Sequence, residues 1–104
     1  MWIIQNDAFF SIVDKANNRE RDLVVRSRRA GDIPKVFGVE AVHSPHNDYA
    51  FRAEIPRTSV AAVIARRITD IDYDNFKNSV DDRKLHDAYA KVWGDLFGLN
   101  EKPD

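Results

Sequence analysis

One stretch, residues 49–71, constrains the fold most, because it predicts a strand joined directly to an amphipathic helix. Its sequence is YAFRAEIPRTSVAAVIARRITDI. In the first half, apolar and polar side chains alternate, which is typical of a sheet with one buried and one exposed face. The expected buried positions are Tyr49, Phe51, Ala53 and Ile55, and the expected exposed positions are Ala50, Arg52 and Glu54.

The second half of this stretch predicts a helix over residues 58–71. Pro56 has no N–H for the strand ladder and is expected to end the strand. Thr58 or Ser59 can then accept a hydrogen bond from the first turn as an N-cap. An apolar stripe at helical spacing is fit to lie on the sheet. Its members are Val60, Val63, Ile64, Ile68 and Ile71.

Arg67 falls near the centre of that apolar stripe, and two interpretations follow. A guanidinium among apolar side chains is costly unless it is paired, so the favoured interpretation pairs it with a carboxylate such as Asp70 or Asp14. In the other interpretation, Arg67 faces a shallow pocket and meets an anionic ligand or a carboxylate of a partner.

Composition predicts one compact domain over residues 1–100, followed by a short tail at 101–104. The chain has 104 residues, of which 43% are hydrophobic, a net charge of −1 and no cysteine. Such a balance lacks the basic excess of a dedicated nucleic-acid coat, and the missing cysteines exclude disulfides and thiolate chemistry. The apolar start at residues 1–4 is too short for a signal peptide or a membrane span. We therefore expect a cytoplasmic protein without a membrane partner.

The remaining segments predict an α+β fold. Residues 2–5 and 9–13 are either two short strands or one strand with a bulge, and residues 23–29 alternate as a further strand. Residues 14–22 form a polar turn, expected to be the most mobile loop. Asp32 is expected to cap a short helix that ends at Gly38, and residues 39–43 are expected to form an edge strand.

The last predicted helix, at residues 82–97, has a wide apolar stripe. Ser79 and Asp82 have the spacing of a capping box at its start, and Trp93 on the stripe is predicted to be a core residue. The expected architecture is an antiparallel sheet of three to five strands with two to four helices, packed mainly on one face. The helices at 58–71 and 82–97 are expected to cover that face.

No motif predicts catalysis, a metal site or a cofactor. His43, His46 and Asp48 have ligand chemistry but lie in a loop without a third firm ligand. Asp70, Asp72 and Asp74 alternate, as the ligands of a calcium loop do, yet the glycine and the distal glutamate of such a loop are missing. We expect a protein that is not an enzyme.

An arginine-bearing sheet face is the remaining candidate. If the strands pair as a meander, Arg26, Arg28 and Arg52 project from one face. They could bind phosphates or a partner's acidic surface, or they could form cross-strand pairs with Glu54 and Asp14, which we favour. No aromatic residue is expected on that face, which argues against single-stranded RNA binding by stacking. Together with Arg67, these three arginines are the candidate binding residues.

The chain also resembles a family of small bacterial and phage-borne proteins. The likeness runs from about Trp2 to Trp93 through AFFSIV, LVVRSRRAGDI, DYAFRAEIPRTSVAAVI, IDYDNFKNSV and HDAYAKVW, and IDYDNFK is its most specific piece. That family has no known activity, so the resemblance implies no functional residue. Small proteins of this kind are often inhibitors of host defence, such as anti-CRISPR proteins.

Two function hypotheses follow. The first is a non-enzymatic protein that acts by protein–protein contact, as an inhibitor of bacterial defence would. The alternative is a binder of an anionic ligand, either a nucleotide or a nucleic-acid phosphate, through the arginines.

Overall fold

The computed structural model describes residues 1–15 and 21–103 and has the predicted α+β class. Five strands form one antiparallel sheet in the order β1-β2-β3-β5-β4. Three helices and a 3-10 turn at Lys77–Ser79 complete the fold. The strands are β1 (Trp2–Ile4), β2 (Phe9–Val13), β3 (Asp22–Ser27), β4 (Val42–His43) and β5 (Phe51–Pro56), and the helices are α1 (Asp32–Phe37), α2 (Arg57–Thr69) and α3 (Arg83–Phe97).

The two apolar runs near the start form separate strands rather than one bulged strand. They pair as a hairpin in which Ile4 lies opposite Phe9, and the turn closes with a hydrogen bond from Gln5 N to Ala8 O. The polar turn expected at 14–22 falls mostly on residues 16–20, outside the described residues. The predicted edge strand at 39–43 is confirmed in shortened form as β4.

The main core lies between the sheet and helices α1 and α2. Phe10, Val25 and Ile33 are fully buried, and Val60 of α2 packs in the same cluster. Partly buried Val36 and Phe37 of α1 also pack there. The helix α1 ends at Gly38, which has φ 70°, a left-handed conformation that glycine adopts without a steric penalty.

The helix α3 covers the opposite face of the sheet, so the expected placement of the segment 82–97 is wrong. Its buried residues Leu85 and Tyr89 pack with Phe9 and Ile4. Along β2, successive side chains point to opposite faces, so Phe9 faces away from Phe10 and the main core. Two of the three helices therefore share one face, and α3 lies on the other.

The helix starts also differ from the predicted caps. Neither Thr58 nor Ser59 caps α2, because the helix begins at Arg57, directly after Pro56. Asp32 is the first residue of α1 rather than its N-cap, and its carboxylate binds other groups. Asp82 is the N-cap of α3 and accepts from Leu85 N, so Ser79 is not the cap.

Trp93 is 54% exposed, so its assignment to the core is wrong. Its ring centroid lies 5.6 Å from that of Phe97, and Lys77 Nζ lies 4.2 Å from the Trp93 centroid. The sequence stripe on α3 is longer than the surface available to cover it, so its second half carries exposed apolar side chains. These are Trp93, Leu96 and Phe97, followed by Leu99 beyond the helix.

We predict unequal losses of stability for two aromatic truncations. Phe10→Ala should lower the free energy of unfolding by about 3–5 kcal/mol, because it empties a fully buried site. Trp93→Ala should lower it by about 1 kcal/mol or less, since it removes only a partly exposed ring contact and a cation–π contact. Urea unfolding of both variants measures the difference. Equal losses would contradict the placement of Trp93 at the surface.

Candidate functional site

The outer edge of β1 is the first candidate surface. Among the described residues, β1 ends the sheet and pairs only with β2. Hydrogen bonds join Met1 to Ile12 in both directions, and Gln5 N donates to Ala8 O. In an antiparallel ladder the inward-bonded residues alternate with residues whose N–H and C=O point outward. The N–H and C=O groups of Trp2 and Ile4 therefore face the open edge.

An apolar groove runs beside this edge. It has a volume of about 650 Å³ and lies between β1 and the second half of α2 with the turn that follows. Ile64, Ile68 and Ile71 line the helix side, and Ile68 is 63% exposed. On the strand side, Trp2 borders the groove with its backbone. Its side chain is 65% exposed and lies on the other face of the sheet, with its ring 5.6 Å from that of Phe9, edge to face. We call this groove and the outer edge of Trp2–Ile4 the edge groove.

Arg67 lines the edge groove, but its charge is already paired. Its Nη1 donates to Asp7 Oδ1 at 2.8 Å. The carboxylate is neither of those expected, since Asp70 pairs with Arg66 and Asp14 pairs with Arg57. The favoured interpretation of Arg67 as an ion-paired residue is thus confirmed with a different partner. The turn that carries Asp7 is 60 residues away in sequence, so helical spacing could not identify it.

A polar junction of Asp7, Arg29 and Asp32 holds the turn between β1 and β2. Arg29 donates from Nη2 to Asp7 O at 3.0 Å and to Asp32 Oδ1 at 2.9 Å, and from Nη1 to Asp82 Oδ2 at 3.0 Å. Lys35 Nζ also donates to Asp7 O. Burial by itself lowers the pKa of Arg29, but the hydrogen bonds and charges of Asp32 and Asp82 outweigh it and raise that pKa. We call this group the Asp7–Arg29 junction.

Asp82 and Tyr89 tie α3 to this junction. The hydrogen bond from Leu85 N is the largest cause that lowers the pKa of Asp82, and the charge of Arg29 adds to it. Burial, reinforced by the charge of Asp32, raises the pKa of Tyr89 to about 12. The Tyr89 hydroxyl is buried and has no hydrogen-bond partner among the described residues. Its neutral form is therefore the form that the fold accommodates.

The arginine-bearing face exists as predicted, although its pairing differs. Arg26 lies directly opposite Arg52 on β3 and β5. Within the described part of the chain, neither these two arginines nor Arg28 forms an ion pair with a carboxylate, so the favoured pairing with Glu54 and Asp14 is not observed. Arg26 Nη2 instead donates to Ser11 Oγ at 2.6 Å.

Tyr49 lies on this face, so the prediction that it shares the buried face with Phe51 is wrong. The guanidinium carbons of Arg26 and Arg28 lie 4.6 and 4.7 Å from the Tyr49 ring centroid. The residue precedes β5 rather than continuing it, so strand alternation does not extend to it. Because Tyr49 is only 4% exposed, its ring offers no surface for stacking a base.

The histidines and the alternating aspartates lie apart from these surfaces or at their margin. His43 is part of β4 and stacks on Phe51 at 4.7 Å between ring centroids. Asp48 Oδ1 accepts a hydrogen bond from Tyr49 N. In residues 1–15 and 21–103, no three histidine, cysteine or acidic side chains come together in a metal-binding arrangement. Asp70 and Asp72 border the edge groove.

Comparison with known proteins found no matching family model, no matching curated protein and no matching solved structure. The resemblance to small bacterial and phage-borne proteins therefore stays a prediction. None of the helices in the described ranges is long and apolar enough to cross a membrane.

We predict that Tyr89→Phe weakens the alkaline destabilisation of the protein. The unfolded chain releases the tyrosine proton near pH 10 and the fold holds it to about pH 12, so stability from this group is present below pH 10 and lost as pH rises between these values. Urea unfolding at neutral pH and near pH 11 measures the change. At neutral pH the variant should be as stable as the wild type or more so, because the lost hydroxyl has no hydrogen-bond partner among the described residues. An equal alkaline loss in both proteins would contradict the assignment.

Proposed function

We propose that this protein works without catalysis, by binding an extended segment of another protein along the edge groove. The observation that carries the proposal is the open edge of β1 beside an apolar groove. A strand that adds to this edge would satisfy the outward backbone groups of Trp2 and Ile4, which is the basis of strand-addition recognition.

The groove defines the chemistry of the segment. A strand along β1 presents alternate side chains to the isoleucines of α2, so apolar residues at every second position fit this surface. Large exposed apolar side chains beside an open edge are typical of interaction sites. The groove margin also carries Asp72, which forms no ion pair with any described residue. A lysine or arginine in the bound segment would complement this charge.

This proposal agrees with the first hypothesis from the sequence and gives it a surface. A role as an inhibitor of bacterial defence follows from the resemblance alone and remains a separate prediction.

The test compares two substitutions of Trp2 against a displayed library of random decapeptides. Trp2→Val removes the indole and keeps the N–H, whereas Trp2→Pro also removes the outward N–H. Proline is tolerated where a strand N–H faces away from the sheet, so both variants should fold. We expect the wild type to enrich peptides with alternating apolar residues and a basic residue. Trp2→Pro should bind these peptides about tenfold more weakly than Trp2→Val, because it can no longer donate the backbone hydrogen bond that aligns the peptide on β1.

A second pair of variants tests the helix side of the groove. Ile68→Glu places a charge among the groove isoleucines and should abolish peptide binding, whereas Ala62→Glu adds the same charge at an exposed position of α2 that does not line the groove. The proposal is wrong if no peptide is enriched, or if Trp2→Pro and Ile68→Glu bind as well as their controls. A wild-type dimer in sedimentation that Trp2→Pro dissociates would make a second copy the occupant and would also contradict it.

A further inference from the structure

Two arginines lie directly opposite each other on neighbouring central strands. Arg26 of β3 pairs in register with Arg52 of β5, and like charges in directly opposite positions destabilise a sheet. Glu54 lies two residues from Arg52 on the same side of β5, yet it forms no ion pair with either arginine in the described part of the chain. Arg26 and Arg52 therefore repel each other, and no carboxylate of the described residues compensates their charges.

The neighbouring side chains hold these guanidinium groups in place. The Tyr49 ring lies against both Arg26 and Arg28, and cation–π contacts of this kind favour the charged side chain. Ser11 Oγ accepts from Arg26, and the Tyr49 carbonyl accepts from Arg52 Nη2 at 3.5 Å. The side chains of Arg26, Arg28, Arg52 and Tyr49 are hereafter the arginine–tyrosine cluster.

Most guanidinium N–H groups of this cluster donate no hydrogen bond to a described residue. Each guanidinium carries five N–H donors, while Arg26 and Arg52 each make one hydrogen bond to a described residue and Arg28 makes none. The Nε groups of Arg26 and Arg52 are buried without a partner in the described chain. Five other arginines pair with carboxylates, namely Arg29, Arg57, Arg66, Arg67 and Arg83.

We infer that the arginine–tyrosine cluster binds a phosphate group of an anionic ligand. Two guanidinium groups lie on the Tyr49 ring and a third, that of Arg52, contacts the Tyr49 carbonyl. These three positive charges match a group that carries up to two negative charges and several acceptor oxygens better than they match a single carboxylate. Guanidinium donors can bind such a group in a bidentate manner. Because the buried Tyr49 ring cannot stack on a base, recognition is directed to the phosphate rather than to a nucleobase.

This site is independent of the edge groove. Arg26 and Arg52 of the cluster lie on β3 and β5, and Arg28 and Tyr49 lie next to the ends of these strands. The strand β2 separates them from β1. The groove is lined by α2, which packs on the opposite face of the sheet. Loss of one binding activity therefore leaves the other to be measured.

The experiment measures binding of pyrophosphate, ATP and a short labelled single-stranded RNA to the whole protein by calorimetry and fluorescence anisotropy. The double variant Arg26→Gln/Arg52→Gln removes the opposed pair, and Arg66→Gln/Arg83→Gln removes the same charge from exposed positions on α2 and α3. We expect the first variant to weaken phosphate binding by about tenfold or more and the control to change it little.

The three probes distinguish the sources of the phosphate. Binding of pyrophosphate and ATP supports a small-molecule ligand, and binding of RNA alone, weakening steeply with salt, supports a nucleic-acid backbone. An oligoglutamate peptide serves as a carboxylate control. The inference is overturned if none of the three phosphate probes binds, if both double variants lose binding equally, or if only the oligoglutamate peptide binds. Thermal unfolding adds a separate readout. Arg52→Gln should be at least as stable as the wild type if the opposed pair serves binding, and a lower Tm without phosphate binding would indicate a structural role alone.

Discussion

The Asp7–Arg29 junction is the interaction on which the rest of the structure depends. It joins the turn between β1 and β2 to the end of β3, to α1 through Asp32, and to the N-cap of α3 through Asp82. Asp32 is 4% exposed, and a carboxylate so deeply buried needs a paired cation. The two helical layers on opposite faces of the sheet are thus tied to a single guanidinium.

The same turn positions the edge groove. The Asp7 carboxylate binds Arg67 of α2, so the turn between β1 and β2 also fixes the helix that lines the groove. This ion pair compensates the positive charge of Arg67, which lies on the apolar stripe of α2. As a result the groove combines an open backbone edge with isoleucine side chains, and its own arginine is not available to a ligand.

Local patterns predicted most elements but not the contacts between them. Alternation placed Arg26 and Arg52 on one face, and helical spacing identified α2 and α3, because both signals depend only on neighbouring residues. The face covered by α3 was wrong because an apolar stripe does not indicate which sheet face it meets. Tyr49 was misplaced because it precedes β5, and Trp93 because the stripe of α3 extends beyond the surface that covers it.

The candidate sites also differ in whether a local pattern predicts them or only the tertiary structure reveals them. The alternation of side chains along the strands predicted the arginine-bearing face. The edge groove was missed because the order of strands in the sheet decides which strand lies at the edge. The apolar residues at the start of the chain could have drawn attention to it, since Trp2 and Ile4 have no charged neighbour that would protect an edge.

Amide hydrogen exchange along β1, measured residue by residue, tests the central claim most directly. In the free protein the N–H groups of Ile3 and Gln5 should exchange slowly because they bond across the β1–β2 hairpin, Gln5 to Ala8 O. Those of Trp2 and Ile4 should exchange fast because they face the open edge. A bound peptide selected by the edge groove should protect Trp2 and Ile4 and leave the other two unchanged. Slow exchange at Trp2 and Ile4 in the free protein, or no added protection with the peptide bound, would contradict the account.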